Sequence, residues 1–279
     1  MVAVQSAHDT GAKTLLGQTI PAGQTAEADL ASALNIIFNH PNVGPFVAKQ
    51  YILRLVTSNP SPAYVQRVAQ AFNTGSFSSG TGVTYGAGTR GDMQALLAAV
   101  LLDPEARRGD DPSTVVATDG KLREPIVMEV SLIRAFHAQT DAGGLSNEGD
   151  DMGQNVFYPA TVFNFFPPVS PIPNTTLNGP EFAIFNTATS LARVNFIDDV
   201  VYGAVGANTH FNFAPVINAG TQDAMLNWLG TLFLHGPIPD TMKTTIETAL
   251  SSVNPADTTG QAKGAIYLVT SSSMYQVQH

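Results

Sequence analysis

Prolines and short polar residues stand directly ahead of apolar runs of helical period along most of this chain, and that punctuation leaves little room for anything but helices. Ser61-Pro62 precedes Val65, Val68, Ala69 and Phe72, and Glu124-Pro125 precedes Ile126, Val130, Ile133 and His137. A proline at the first helical position sacrifices no hydrogen bond, because the first N–H groups of a helix have no intrahelical acceptor. A serine at the N-cap then accepts from a backbone N–H two or three residues on. By the same logic Thr25 opens a helix with Leu30, Ala33, Leu34, Ile37 and Phe38 on one face. Pro45 opens one with Phe46, Leu53 and Val56, and Asp92 caps one with Met93, Leu96, Leu97, Val100 and Leu101. Pro180 predicts a long helix through Phe182, Phe185, Leu191 and Val194, and Thr221 one through Met225, Trp228, Leu229, Leu232 and Phe233. Asp240 is the predicted cap of a helix with Met242, Ile246, Leu250 and Val253, and a last helix is predicted over 258–271. Nothing long alternates with period two, so the predicted fold is all-α: a single multi-helix domain over residues 1–279 with at most a short hairpin.

Two stretches interrupt the pattern. Residues 73–91 are rich in Gly, Ser and Thr and read as a surface loop or a short hairpin through Val83-Thr-Tyr85. Residues 143–179 begin acidic, with Glu148, Asp150 and Asp151, and turn aromatic and proline-rich at Phe163-Asn-Phe-Phe-Pro-Pro168. Long loops in compact domains are often functional, and the apolar content of this one predicts that it packs onto the helices.

Composition narrows the partners. The net charge is −9, from 13 basic and 22 acidic residues, and Arg107-Arg108 is the only basic pair. A nucleic-acid binder needs clustered lysines and arginines to displace counterions from phosphates, so nucleic acid is disfavoured. No cysteine is present, which rules out disulfides, thiolate metal sites and a Cys nucleophile. No apolar run approaches the roughly 18 residues that a membrane span requires. Charged residues reach only 13%, about half the usual share, a profile expected of a secreted or periplasmic chain. The start, Met1 to His8, lacks the pattern of a signal peptide, so the expectation is either a cytoplasmic protein or an exported one whose leader lies outside this sequence.

Several segments together resemble one family. They are Ala22-Gly-Gln-Thr25, His40-Pro-Asn-Val-Gly-Pro-Phe46, the stretch from Arg54 to Tyr64, Arg90-Gly-Asp92 and Leu101-Leu-Asp-Pro-Glu-Ala-Arg107. Gly120-Lys-Leu-Arg-Glu-Pro125, Val162-Phe-Asn-Phe-Phe-Pro167, Pro180-Glu-Phe182 and Tyr275-Gln-Val-Gln278 follow in order. In register over nearly the whole chain, they are similar to the C-terminal portion of the bacterial proteins called domain of unknown function 1800. The resemblance implies a mostly helical, usually exported protein whose N-terminal half is missing here. Apolar surface left by that half would favour a homo-oligomer. The family brings no catalytic residues with it.

The candidate chemistry rests on carboxylates. Glu124 enters a helix N-terminus after Arg123, with Glu129 farther along, while Glu181 follows Pro180 and Asp198-Asp199 lie later on the same predicted helix. A buried glutamate is unstable unless paired, and that pressure raises its pKa toward general-acid range. Carboxylates converging from two helices suit glycoside hydrolysis, with Glu124 or Glu129 as acid and Glu181, Asp198 or Asp199 as partner. Arg54, Arg123, His137, Phe163 and Phe166 are the expected substrate-binding side chains. The plainer reading is that Glu124 and Glu181 favour helix N-termini and pair with Arg54, Arg123 or Arg193.

Other motifs carry less. Gly86-Ala-Gly88-Thr-Arg-Gly91 has the glycine spacing of a dinucleotide loop but lacks the βαβ setting. The six histidines (His8, His40, His137, His210, His235 and His279) show no metal-ligand spacing, and His137 is expected as a core residue. Glu148-Gly-Asp-Asp151 lacks a calcium-loop pattern and reads as a solvated acidic loop. No cofactor and no metal are expected. The sequence leaves three functions open: an exported hydrolase cutting glycosidic bonds of a polysaccharide, a non-catalytic scaffold or binding module of an exported assembly, and an ester hydrolase with dispersed Ser and His. Either enzyme would act on a polymeric or small-molecule substrate.

Overall fold

A computed structural model describes residues 2–278; His279 lies outside the described residues. The fold is predominantly helical, with twelve α-helices and three two-stranded antiparallel pairs among the described residues. The chain divides into two compact units, Met1–Ile52 with Ser61–Asp103, and Leu53–Pro60 with Pro104–His279.

The first unit opens with a hairpin, β1 (Lys13–Leu15) and β2 (Gln18–Ile20), which the helical periodicity gives no hint of. Helix α1 (Ala26–Phe38) is capped by the Thr25 hydroxyl, and α2 (Val43–Leu55) starts two residues ahead of Pro45. Helix α3 (Pro62–Thr74) is capped by Ser61 and leads into the hairpin of β3 (Phe77–Ser78) and β4 (Thr84–Tyr85), which falls where a short hairpin is predicted. Asp92 caps α4 (Met93–Leu102), accepting from Gln94 and Ala95, and α3 and α4 pack together. Arg90 lies over the Phe38 and Phe72 rings and donates to the Phe38 and His40 carbonyls. Two of the glycines of 86–91 permit close approaches: Gly86 has φ +90° and a Cβ there would sit 2.2 Å from the Gly75 carbonyl oxygen, and a Cβ at Gly91 would meet the Phe38 ring.

The predicted face of α1 is not its buried one. Leu30, Leu34 and Ile37 are 59, 56 and 46% exposed, while Asp29 is buried with Lys13 at 2.7 Å and His8 at 2.9 Å. Hydrogen bonding and attraction from Lys13, with His8 adding to both, hold the Asp29 carboxyl below its usual range, against its own desolvation.

In the second unit the short strand β5 (Lys121–Leu122) pairs antiparallel with the chain's last strand, β6 (Val277–Gln278), and leads into α5 (Pro125–Ala135). Helix α6 (Leu145–Asp151) occupies the start of the predicted 143–179 loop. Next come α7 (Thr187–Val201), α8 (Ala214–Ile217), α9 (Gln222–Phe233), α10 (Asp240–Leu250), α11 (Thr258–Thr270) and α12 (Ser273–Gln276). Helix α11 is the centre of this unit, packed against α7, α8, α9 and α10. Its Ala262, Ala265, Ile266 and Val269 share a core with Leu132, Phe136, Phe196, Leu229 and Phe233.

Further expectations are corrected here. The helix from Pro180 is broken: Pro180–Ile184 forms a 3-10 turn, Phe185 is extended, and Asn186 restarts the chain as α7 through a capping box with Thr189. Asp240 is the first residue of α10 and Pro239 its N-cap. Helix α5 buries Met128, Glu129 and Leu132, so the stripe of Ile126, Val130 and Ile133 is its half-exposed side. His137 lies beyond the helix end, exposed and at φ +45°, and is not a core residue. In the aromatic loop Phe166 is buried, but Phe157, Val162 and Phe163 are 91, 96 and 64% exposed, so much of that segment does not pack onto helices. No described helix is long and apolar enough to cross a membrane.

Candidate functional site

The pairing of β5 with β6 places Lys121, Arg123 and Glu124 at the head of α5. Lys121 turns into the protein, where its Nζ meets Glu181 Oε1 at 3.1 Å, Glu124 Oε1 at 3.4 Å and the Arg54 carbonyl at 3.0 Å. An ammonium has three donors, and these three acceptors use them. Glu124 is the N-cap residue of α5 but makes no capping bond. Its other oxygen accepts instead from Gln154 Nε2 at 2.8 Å, while the Gln154 side-chain Oε1 accepts from the Ile126 N–H. Gln154 therefore supplies the cap that Glu124 does not. Glu181 is 1% exposed and takes a longer contact, 3.4 Å, from the Ser58 hydroxyl.

The structure thus brings two of the predicted carboxylates, Glu124 and Glu181, to one ammonium. The pairing partner is Lys121 rather than any of the three arginines expected. Arg54 contributes its carbonyl, and its guanidinium lies 5.2 Å from the centre of the Phe166 ring. Lys121 escaped the sequence reading because its place depends on a strand pairing across more than half the chain. The one local signal was its position three residues before Glu124, within Gly120-Lys-Leu-Arg-Glu-Pro125.

Beside this cluster Arg123 and Arg193 are 7 and 1% exposed. Arg123 donates to the Tyr275 carbonyl at 3.0 Å and stacks 4.4 Å from its ring. Burial lowers the pKa of Arg123 and raises that of the Tyr275 phenol. Arg193 donates through Nη1 to the Arg123 carbonyl at 2.8 Å and to Gln276 Oε1 at 3.0 Å. Burial pushes its pKa down to about 10, with the charge of Glu124 opposing, so it stays cationic at neutral pH.

The other predicted acids stand elsewhere. Glu129 is 2% exposed and its Oε1 has no hydrogen-bond partner among the described residues. Burial pushes it up to about 8, with the charge of Glu148 adding to the effect. Glu148 is itself raised, first by burial and then by Asp199 and Asp151. Asp198 is exposed, and Asp199 borders a cavity of about 330 Å³ with His210 and Lys263. Phe163 is exposed and His137 sits on the surface, so neither joins the Lys121 cluster.

Two larger concavities flank the cluster. One, of about 650 Å³, is lined by Arg123, Ser131, Arg134 and His235 among others. Ser131 and His235 share it, yet no hydrogen bond joins them among the described residues. The second, of about 690 Å³, is walled by Leu122, Phe182, Phe185, Leu191 and Val194 and includes Arg193. Among the described residues no three His, Asp or Glu side chains gather as metal ligands.

No curated protein and no solved structure matches the chain. The family profile described as "Protein of unknown function (DUF1800)" matches residues 1–277. With the match covering essentially the whole sequence, the chain belongs to the DUF1800 family.

Proposed function

We propose that this chain is a non-catalytic binding module of an exported assembly and that its ligand is an organic anion. Arg193 carries this reading. Its guanidinium is buried and cationic, and Nε and Nη2 have no acceptor among the described residues. An unsatisfied buried donor is destabilising, the more so when charged, and a ligand that brings the acceptor is selected by that deficit. The low share of charged residues supports export. The exposed face of α1, with Leu30, Leu34 and Ile37, supports self-association.

The carboxylates favour this reading over glycoside hydrolysis. A glycosidase holds its two carboxyl groups about 5 to 9.5 Å apart across an open cleft. Glu124 and Glu181 instead meet at one buried ammonium, and neither lines the concavities described above. Screening organic anions against their neutral counterparts by thermal shift tests the module. A ligand that binds only the folded state raises Tm with concentration. Anions that leave Tm where the neutral compounds leave it would overturn the reading.

One observation favours the hydrolase alternative, acting on polysaccharide. Glu129, raised to about 8, holds its proton at neutral pH as a general acid must. Turnover of a chromogenic glycoside or polysaccharide that is abolished in a folded Glu129→Gln variant would establish that reading in place of the binding module.

A further inference from the structure

Resting on the binding-module reading, we infer that the cavity bordered by Phe182, Phe185, Leu191 and Arg193 is a site for a monocarboxylate with an apolar body, an alkyl or aryl acid. Arg193 is among the residues that line it, and two others of that lining touch its guanidinium: Gln276 accepts from Nη1, and the Phe185 ring centre lies 5.3 Å from Cζ. Nη1 is engaged, while Nε and Nη2 are buried without a partner. Those two nitrogens form the edge of a guanidinium that receives both oxygens of a carboxylate in a bidentate pair. The Ser271 hydroxyl, also buried and without a partner, borders the same cavity and offers a third donor.

The charge balance points to a single negative charge. Lys121, Arg123 and Arg193 are buried cations, and Glu124 and Glu181 are the carboxylates set against them, with Lys121 bound to both. One positive charge is left over, and a monoanion neutralises it. Leu122, Phe182, Phe185, Leu191 and Val194 supply the rest of the wall. An apolar body gains from contact with that wall, whereas a small, strongly hydrated anion would lose water without it.

The test titrates the intact chain with octanoate, octyl phosphate, octanol and acetate by calorimetry, below micelle-forming concentrations. Octanoate is expected to bind at least about tenfold more tightly than octanol, the factor that follows from one charge-assisted hydrogen bond, and acetate more weakly than octanoate. Arg193→Lys keeps a charge but loses the two-pronged edge, and should bring octanoate binding down toward that of octanol. Because Arg193 is buried and that variant can fail to fold, Leu191→Glu serves as the second. Leu191 is 60% exposed at the cavity rim, so the substitution leaves the core intact while its carboxylate repels the ligand.

Equal affinity for octanoate and octanol would overturn the carboxylate assignment, and so would tighter binding of octyl phosphate than of octanoate. Octanoate binding unchanged by Leu191→Glu but lost in Arg134→Gln would place the anion in the other cavity. That result sinks this site and leaves the binding module standing. Binding of no anion at all would sink both.

Discussion

Lys121 Nζ stands 3.1 Å from Glu181 Oε1 with the two side chains only 4 and 1% exposed, and the same ammonium serves Glu124. Removing one partner of a buried ionic group strands the other charges, which typically costs about 3–5 kcal/mol. Lys121→Met is therefore expected to lower stability by about that amount, read as a fall in the urea midpoint at pH 7. Adding Glu181→Gln should restore part of the loss, because one stranded charge disappears. A double variant no more stable than Lys121→Met would show that the two residues are not energetically coupled.

Glu129 makes stability depend on pH in the direction opposite to an ordinary salt-bridged acid. Its folded pKa is about 8, against an ordinary unfolded value of about 4.3. Below pH 4 both states hold the proton, and the group contributes nothing to the difference. Between about pH 4.3 and 8 the unfolded chain gives up the proton first, so stability falls as pH rises through that window and levels off above it. Glu129→Gln is expected to melt higher than the parent at pH 8 and to lose most of that advantage at pH 4. Parallel Tm curves for the two proteins across pH 4–8 would contradict the burial of an acidic group at this position.

Local chemistry was legible in the sequence, and long-range pairing was not. Thr25, Ser61, Asp92 and Thr221 all cap where they are expected to, because a cap needs only a side chain and an N–H two or three residues away. Period alone cannot choose between two adjacent faces of a short helix. In α5 the half-exposed side is as apolar as the buried one, and the buried one contains Glu129, a residue that hydrophobic patterning assigns to water. The candidate acids Glu124 and Glu181 were visible from their places after Arg123 and Pro180. Their partner was not, since Lys121 reaches them only once β5 has paired with β6 at the other end of the sequence. Arg193 was visible as a potential ion-pair partner, but its free edge depends on what Arg123 and Gln276 take from Nη1.

Asn186 decides where α7 begins. Its side chain accepts from the Ala188 and Thr189 N–H groups while the Thr189 hydroxyl accepts from the Asn186 N–H. Asn186→Ala removes the side-chain acceptor, and losing an N-cap of this kind costs about 0.5–2 kcal/mol. Asn186→Ser should recover most of it, since serine caps nearly as well. Equal urea midpoints for the alanine and serine variants would mean that Pro180 and the 3-10 turn, rather than the capping box, hold the helix start.

The face of α1 separates surface from core within the first unit. Leu34 is 56% exposed, whereas Leu96 of α4 is fully buried. Leu96→Ala is expected to cost about 2–5 kcal/mol, the range for emptying a packed leucine site. Leu34→Glu, on an open helix surface, should change stability by no more than about 0.5 kcal/mol. The informative measurement is sedimentation velocity at several concentrations beside the thermal melts. If Leu30, Leu34 and Ile37 meet a second copy of the chain, the parent sediments faster as concentration rises and Leu34→Glu stays monomeric at every concentration. A Leu34→Glu protein that melts as low as Leu96→Ala would mean that this face is buried in the folded chain itself.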